Sequence, residues 1–255
     1  MQEILRNLFT GIADAGKLND VYLAINNIAN YIAIVFGLFH SRKLKVHFLT
    51  AVVAVFVERA LFGSLMTLIL FVENGFEPTA LKNAVVVYPY IPLLAWLLSK
   101  PLRYSWKALW DVLMPISLVA FVGARISCTV TGCCYGYPCS WGVYNVLKGT
   151  YLFPIQFLEA LVAVLILVAM IRREKKNGFV PDGRNVPLIL ISYGIARFFL
   201  EFLHDNQKIV AGLASTQFHC LIMIAVGFIA LRIIKQSEER INSTSTREMG
   251  TPKGV

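Results

Sequence analysis

The chain has 255 residues, of which 57% are hydrophobic and only 15% charged, with a net charge of +9. Soluble domains carry about 25% charged residues, so the composition excludes an ordinary soluble domain and indicates a membrane protein. The net positive charge does not indicate nucleic-acid binding, because the basic residues lie in short loops between apolar segments.

Seven apolar segments are candidates for membrane-crossing helices, since about 20 mostly apolar residues are needed to cross a bilayer. The third segment is weaker because it contains Pro89 and Pro92, and the fourth carries Asp111 near its start. The predicted spans are residues 21–40, 48–72, 84–98, 108–127, 154–171, 186–204 and 213–234. The sequence therefore predicts an all-α polytopic membrane bundle with seven transmembrane helices.

The connections that join these spans are alternately rich and poor in lysine and arginine. The basic connections are residues 41–45, 99–107, 171–184 and the tail from Lys235. The intervening connections, 73–83, 130–153 and 205–211, contain one lysine each. Because cytoplasmic loops are enriched in lysine and arginine, the predicted N-terminus is outside and the C-terminus is cytoplasmic. We expect one seven-span domain over residues 1–235 and a polar, disordered tail over residues 236–255.

The stretch from Val122 to Gly136 leads from apolar sequence through Arg125 into a cysteine-rich region. The cysteines are Cys128, Cys133, Cys134 and Cys139, and glycines at 132, 136 and 142 with Pro138 end any regular helix. We consider three roles, in order of preference. The thiols are structural or disulfide-bonded, or one is a reactive thiol near Arg125, or they bind a metal. Their spacing fits no common zinc pattern.

Charged residues within predicted spans need partners, because each costs about 2.5–3.5 kcal/mol on insertion scales. Tyr193, Arg197 and Glu201 are spaced four residues apart and therefore share one helical face. Gln156 and Glu159 share a face at the start of the fifth span.

The predicted orientation places Arg125, Arg197 and two carboxylates at similar depth in the outer leaflet. One interpretation is structural, with interhelical pairs Arg197–Glu159 and Arg125–Glu201, or the reverse. The other is a binding site for a phosphate ester, because guanidinium groups bind phosphate bidentately. Elsewhere, Glu58 and Arg59 are adjacent, so we expect them not to share a partner easily.

Three motifs resemble those of the prolipoprotein diacylglyceryl transferases. The family's Gly-Arg-x-Gly-Asn-Phe and Gly-x-x-x-Gly elements are similar to Ala124–Thr129 and Gly132–Gly136. Its Pro-x-Gln-x-x-Glu motif resembles Pro154–Glu159, and its Tyr-Gly-x-x-Arg-Phe-x-x-Glu motif is matched in full by Tyr193–Glu201. Weaker similarities to the family are found at Tyr31, Arg59, Asp111 and the segment Ser215–Gln217.

Two departures mark this chain as a divergent member. The family carries His-Gly-Gly in the third span, where this chain has Val85–Tyr90 without histidine or glycine. The family's asparagine after the first arginine is replaced by Cys128. Both changes fall where the acceptor reacts in the family.

The resemblance implies a multi-pass transferase of the bacterial plasma membrane that moves a diacylglyceryl group from phosphatidylglycerol to the lipobox cysteine of a preprolipoprotein signal peptide. It implies no metal, no cofactor and no nucleic acid. An alternative is a divergent paralogue, either a transferase with another acceptor or a lipid-binding or thiol-redox membrane protein.

The resemblance also implies roles for individual residues. Arg125 and Arg197 would hold the phosphate, and Tyr193 and Glu159 would orient these arginines, with Glu201 as a further catalytic residue. The residues expected to contact the substrates, besides the two arginines, are Gln156, Tyr31, Cys128 and Gly136. Three residues are candidates for the base that deprotonates the acceptor thiol: His204, Tyr88 and Glu201.

Overall fold

Six of the helices in the described part of the chain are long and apolar enough to cross a membrane. The structure is a computed structural model that describes residues 15–77, 84–132, 134–145, 148–204 and 212–249. Its helices are α1 (Ala15–Lys43), α2 (Phe48–Glu73), α3 (Ile91–Ser99), α4 (Trp106–Thr131), α5 (Ile155–Lys176), α6 (Asn185–Leu200) and α7 (Ser215–Met249). All except α3 belong to the six, which confirms a predominantly helical membrane protein.

The third predicted span, residues 84–98, is not a continuous helix. Two 3₁₀ turns, Ala84–Val86 and Tyr88–Tyr90, precede the nine-residue helix α3. Pro89 and Pro92 lack backbone N–H groups, and each lies at the start of a helical element, where that loss is tolerated. A helix of nine residues extends only about 14 Å, so α3 cannot cross a bilayer by itself. The prediction of seven transmembrane helices is therefore not confirmed.

This third segment nevertheless packs inside the bundle, between α2 and α4. Val86 and Val87 are buried against Leu70 near the end of α2. Further along, the Trp110 indole N–H on α4 donates a 2.9 Å hydrogen bond to the carbonyl of Pro92. The segment thus follows α4 in the opposite direction, although only its second half is α-helical.

Helix α4 lies at the centre of the fold and packs against α1, α2, α3, α5 and α6. It is buried on nearly all sides from Ala108 to Leu118 because its sequence there is almost continuously apolar. The helix ends at Gly132, which has φ +73° and whose N–H donates to the Cys128 carbonyl. A glycine in this left-handed conformation is a common helix terminator, as the sequence predicted.

A small β-hairpin follows α4 and is an addition to the predicted helical bundle. Strand β1 (Pro138–Asn145) pairs in antiparallel fashion with β2 (Thr150–Leu152), and Tyr144 lies opposite Tyr151 with ring centroids 5.3 Å apart. β-Branched and aromatic residues favour strands. Gly149, with φ +64°, lies in the turn immediately before β2.

Helix α7 continues to Met249, beyond the predicted end of the seventh span at residue 234. A helix therefore occupies residues 236–249, where a disordered tail was expected. Arg184 contacts Glu238 at 3.1 Å, which ties this extension to the connection before α6. Charged residues at helical spacing support such a polar extension.

A buried polar network links α1, α4, α5 and α6 at the end of the bundle that carries the basic connections, which we call the basic end. Asp111 accepts hydrogen bonds from the backbone N–H groups of Gly183 (2.7 Å) and Asn185 (2.9 Å). The Asn185 amide donates to Glu174 at 2.6 Å, and His40 lies 3.2 Å from the same carboxylate. The opposite end, with the hairpin, is called the far end.

Candidate active site

Glu159 is the centre of a charged cluster buried near the far end of the bundle. Its Oε2 atom lies 2.9 Å from Nε of Arg125 on α4, and its Oε1 atom lies 2.9 Å from Nε of Arg197 on α6. Glu159 is fully buried, and both arginines are less than 10% exposed. The structure thus brings Arg125, Arg197 and Glu159 into contact from α4, α6 and α5, as expected from their similar predicted depth in the membrane.

Arg197 also contacts Glu201, one turn further along, through its other side. The expected pair Arg197–Glu159 is therefore present, but Arg125 pairs with Glu159 rather than with Glu201. The sequence pattern did not show that one carboxylate serves two arginines, because sequence spacing does not fix how neighbouring helices are rotated.

His204 is a third partner of Glu159, with its Nε2 atom 3.0 Å from Oε1. It follows a 3₁₀ turn, Glu201–Leu203, that continues α6, and it is 2% exposed. The cluster therefore contains two guanidinium groups, two carboxylates and one imidazole.

Gly136 brings the cysteine-rich segment against His204 through a backbone bridge. Its N–H donates to the carbonyl of Phe153 at 3.1 Å. A Cβ atom at this position would lie 2.7 Å from the carbonyl oxygen of Leu203 and 3.0 Å from that of Phe153, so only glycine permits this approach. Gly136 was expected to bind substrate. In the structure its backbone lies against the backbone of His204 and positions that residue.

Aromatic rings enclose the cluster on one side. The fully buried ring of Tyr193 packs edge-on against Tyr88 (5.8 Å) and Phe121 (5.1 Å), and the guanidinium of Arg125 lies 4.7 Å from the Phe121 ring centre. Within the described residues the Tyr193 hydroxyl has no hydrogen-bond partner. Its hydroxyl therefore makes no hydrogen bond to Arg197 within this part of the chain, and the orienting role that the resemblance implied stays a prediction.

The other predicted substrate-contacting residues have different positions. Gln156 is buried one turn before Glu159 and lines a small pocket with Thr129 and Asn145. Cys128 is buried on α4, one turn after Arg125. Tyr31 is 69% exposed on α1 and lies outside the buried cluster. This side of α1 faces away from the core, and the role of Tyr31 as a substrate contact stays a prediction.

The structure bears only in part on the three roles considered for the cysteines. Cys133 lies outside the described residues. Cys139 is a free thiol, so the preferred disulfide is not present at this residue. Cys134 is exposed with φ +56°. Across the described ranges, no group of three or more His, Cys, Asp or Glu side chains is placed to hold a metal ion.

A second charged group lies on α2, beside the aromatic wall. Arg59 pairs with Glu58 and donates a 2.6 Å hydrogen bond to the hydroxyl of Ser117, which itself donates to Glu58 at 2.7 Å. The expectation that these adjacent residues would not share a partner is wrong, because their long side chains converge on one serine. Tyr88 donates to the Ser117 carbonyl and so connects this group to Tyr193.

Two guanidinium groups converge on one buried carboxylate, Glu159, and Arg197 also pairs with Glu201. A bound phosphate ester would meet two planar cations, each able to donate more than one hydrogen bond.

Comparison with known proteins places this chain in a protein family. The family model for prolipoprotein diacylglyceryl transferase matches residues 90–233, more than half of the chain and including the cluster. The chain is 28% identical over 148 residues to phosphatidylglycerol–prolipoprotein diacylglyceryl transferase 2 of Clostridium perfringens, covering 54% of this chain and 57% of the relative.

Two further relatives are also named phosphatidylglycerol–prolipoprotein diacylglyceryl transferases. The chain is 26% identical over 186 residues to the phosphatidylglycerol–prolipoprotein diacylglyceryl transferase of Clostridium tetani, covering 67% of this chain and 74% of the relative. It is 29% identical over 163 residues to that of Dehalococcoides mccartyi, covering 58% and 60%. The matches to the C. perfringens and D. mccartyi proteins thus span less than two thirds of those relatives.

Proposed function

Because this chain belongs to the prolipoprotein diacylglyceryl transferase family, we propose that it transfers the diacylglyceryl group of phosphatidylglycerol to the cysteine thiol of a preprolipoprotein signal peptide. Glycerol phosphate is the other product. The reaction takes place in the outer leaflet of the bacterial plasma membrane, at the far end of the bundle.

The observation that carries this proposal is the pair of arginines from two helices held on Glu159. Burying two guanidinium groups in a membrane protein is costly, and a phosphodiester is a ligand that suits both. Arg125 and Arg197 therefore hold the phosphate of phosphatidylglycerol, with Glu159 and Glu201 orienting them. The same carboxylates keep the site electrically balanced while no lipid is bound.

The arginines also act on the chemical step. The acceptor sulfur forms a bond to the terminal glyceryl carbon while the bond between that carbon and the phosphate oxygen breaks. Negative charge accumulates on the departing phosphate, and two fixed cations stabilise this charge more in the transition state than in the bound lipid.

A second candidate is the same transfer to a different acceptor. It is favoured by the third segment, where Val85 to Val87 and Tyr88 fill the place of the family's His-Gly-Gly with fully packed apolar side chains. A change of chemistry at this position affects the acceptor side of the reaction more than the phosphate site.

The deciding experiment incubates the purified protein with phosphatidylglycerol and a lipobox peptide and analyses the peptide by mass spectrometry. A diacylglyceryl adduct supports the first proposal. Release of glycerol phosphate without an adduct indicates another acceptor. Lipid binding without either product indicates a binding protein that does not catalyse transfer.

Arginine variants separate the phosphate site from a purely structural ion-pair cluster. Arg197→Lys retains the charge but offers no planar fork, so we expect it to fold like wild type and to bind phosphatidylglycerol at least roughly tenfold more weakly. Lipid binding is measured in detergent, beside thermal unfolding of the same samples. Wild-type lipid binding by Arg197→Lys would show that Arg197 is only a structural partner.

A double variant measures the structural part separately. Arg197→Ala removes the cation from Glu201, and we expect a loss of about 3–5 kcal/mol because a buried charge loses its partner. Adding Glu201→Gln removes that charge and should recover much of the stability. Lipid binding should stay lost in the double variant, because Glu201→Gln does not replace the guanidinium.

A further inference from the structure

We propose that His204 is the general base that removes the proton from the acceptor thiol, with Glu159 orienting its ring. This inference rests on the proposed function and adds the residue that activates the acceptor. It also accounts for the reaction in a chain that lacks the family's histidine in the third segment.

A base is needed because the thiolate, not the thiol, attacks carbon. A free cysteine thiol has a pKa of about 8.5, so only a few per cent is ionised near pH 7. A membrane-embedded site makes unassisted ionisation still less favourable, because burial disfavours the charged form.

Of the three bases that the sequence offers, two are already engaged. The Tyr88 hydroxyl donates to the carbonyl of Ser117 and lies among packed rings. Glu201 is ion-paired with Arg197 and so already serves as the partner of a buried guanidinium. His204 is neither ion-paired within its own helix nor part of the aromatic wall.

Only His204, of the chain's four histidines, belongs to the buried cluster around Glu159. His40 contacts Glu174 at the basic end, and His219 contacts Glu73 at the start of α7. His47 is exposed before α2. The imidazole in the cluster therefore comes from the end of α6, not from the third segment.

The geometry of His204 is that of an oriented base. Its Nε2 atom lies 3.0 Å from Glu159 Oε1, which leaves Nδ1 as the ring nitrogen that this carboxylate does not hold. A carboxylate that holds one ring nitrogen directs the other towards the reacting group and stabilises the imidazolium that forms. The bridge to Gly136 holds the backbone of His204 in place.

One carboxylate thus serves both halves of the reaction. Arg125 and Arg197, which hold the donor phosphate, and His204 all contact Glu159. The donor and the acceptor thiol are therefore brought to one point, as a direct displacement requires.

The proton balance closes without another reactant. The two arginines and the two carboxylates of the cluster sum to zero charge, and a bound phosphodiester adds one negative charge. His204 takes the proton of the thiol, and the sulfur–carbon bond forms as the carbon–oxygen bond breaks, so the negative charge of the thiolate passes to the departing glycerol phosphate. The imidazolium of His204 offsets this added charge and then gives its proton to the phosphate monoester that leaves.

The test uses His204→Gln in the full chain, with two acceptors. The glutamine amide can still donate to Glu159, but it cannot accept a proton. We expect transfer to a lipobox cysteine peptide at pH 7 to fall about 100-fold, with phosphatidylglycerol binding unchanged. Transfer to the same peptide with selenocysteine should keep most of its rate, because a selenol is ionised at this pH and needs no base.

His219→Gln is the matched control, since His219 is also buried against a carboxylate, 2.6 Å from Glu73, but lies outside the cluster. It should leave transfer to both peptides unchanged. Equal losses for the cysteine and selenocysteine peptides in His204→Gln, or no loss for either, would overturn the assignment of the base.

A measurement on the wild type does not depend on how any variant folds. The cysteine rate should rise with pH through an ionisation that is absent from the selenocysteine rate; identical profiles would contradict the proposal. The charged groups around His204 are Glu159 from α5, Arg125 from α4, and Arg197 and Glu201 preceding it. Failure of the wild type to modify either peptide would instead reject the proposed function.

Discussion

Glu159 shows how much a single buried residue determines in this fold. Its two oxygens contact Arg125, Arg197 and His204, which come from two other helices and from a turn. Breaking a buried charge pair by removing one partner typically costs about 3–5 kcal/mol, and here one removal affects three partners. The position is therefore important both for stability and for the orientation of every charged group in the cluster.

Tyr193→Phe tests whether a residue of the cluster serves the fold or the reaction. The Tyr193 hydroxyl is buried without a partner in the described residues, so removing it should leave stability within about 0.5 kcal/mol of wild type or raise it. If the hydroxyl contacts the donor lipid, transfer should fall roughly tenfold. Thermal unfolding and the transfer assay on the same preparation give both values; a large loss of stability would show a structural role.

At this scale the sequence predicted the members of the cluster better than their contacts. The four-residue spacing of Tyr193, Arg197 and Glu201 correctly placed them on one face, because helical periodicity is local. The choice of Glu159 as partner of Arg125 depends on the mutual rotation of α4, α5 and α6, which no local pattern encodes. The role of Gly136 was missed because it arises from contact with Leu203, far away in sequence.

Among the elements, the third segment shows most clearly how packing replaces regular structure. Its two prolines interrupt helix formation, yet Tyr88 and Ile91 are almost fully buried. The carbonyl of Pro92 is satisfied by a side chain of α4. Irregular backbone at membrane depth is tolerated where protein surrounds it, and this segment meets that condition.

Trp110→Phe tests that contact. It removes the side-chain donor to the Pro92 carbonyl, which keeps only its bond within α3, and this should cost about 0.5–1.5 kcal/mol and lower the melting temperature by roughly 1–6 °C. Trp96→Phe is the control, since Trp96 lies on α3 and is 42% exposed. Equal melting temperatures for the two variants would contradict the importance of the bond.

The long helices were predictable because their apolar runs exceed the length that a bilayer requires. Residues 48–72, for example, were expected and Phe48–Glu73 was found. The hairpin was missed because Cys139 and Gly142 interrupt the alternation that marks a strand. The helical extension of α7 was missed because composition alone does not distinguish a charged helix from a disordered tail.

For the whole molecule, the two largest groups of polar contacts in the described residues lie at the two ends of the bundle, and apolar packing surrounds the smaller group of Glu58, Arg59 and Ser117 between them. The charged cluster of Glu159 lies near the far end, and the network of Asp111 and Asn185 lies at the basic end. If the basic end faces the cytoplasm, the proposed site opens to the outer leaflet, where a signal peptide presents its cysteine.

Reporter fusions test this orientation. A reporter after Val255 should be cytoplasmic, and one inserted in residues 73–83 should be external, because lysine and arginine mark the cytoplasmic loops. Accessibility of both reporters from the same side would contradict the predicted topology and the position of the site in the outer leaflet.

The network at the basic end also implies an order of assembly. Asp111 and Glu174 precede Asn185 in the chain, so α4 and α5 are synthesised before α6. Asn185 then donates its backbone N–H to Asp111 and its side-chain amide to Glu174. Until α6 arrives, Asp111 lacks the backbone donors of Gly183 and Asn185, and Glu174 has His40 but not the amide of Asn185. The arrival of α6 therefore completes this network, and the same helix brings Arg197 to Glu159.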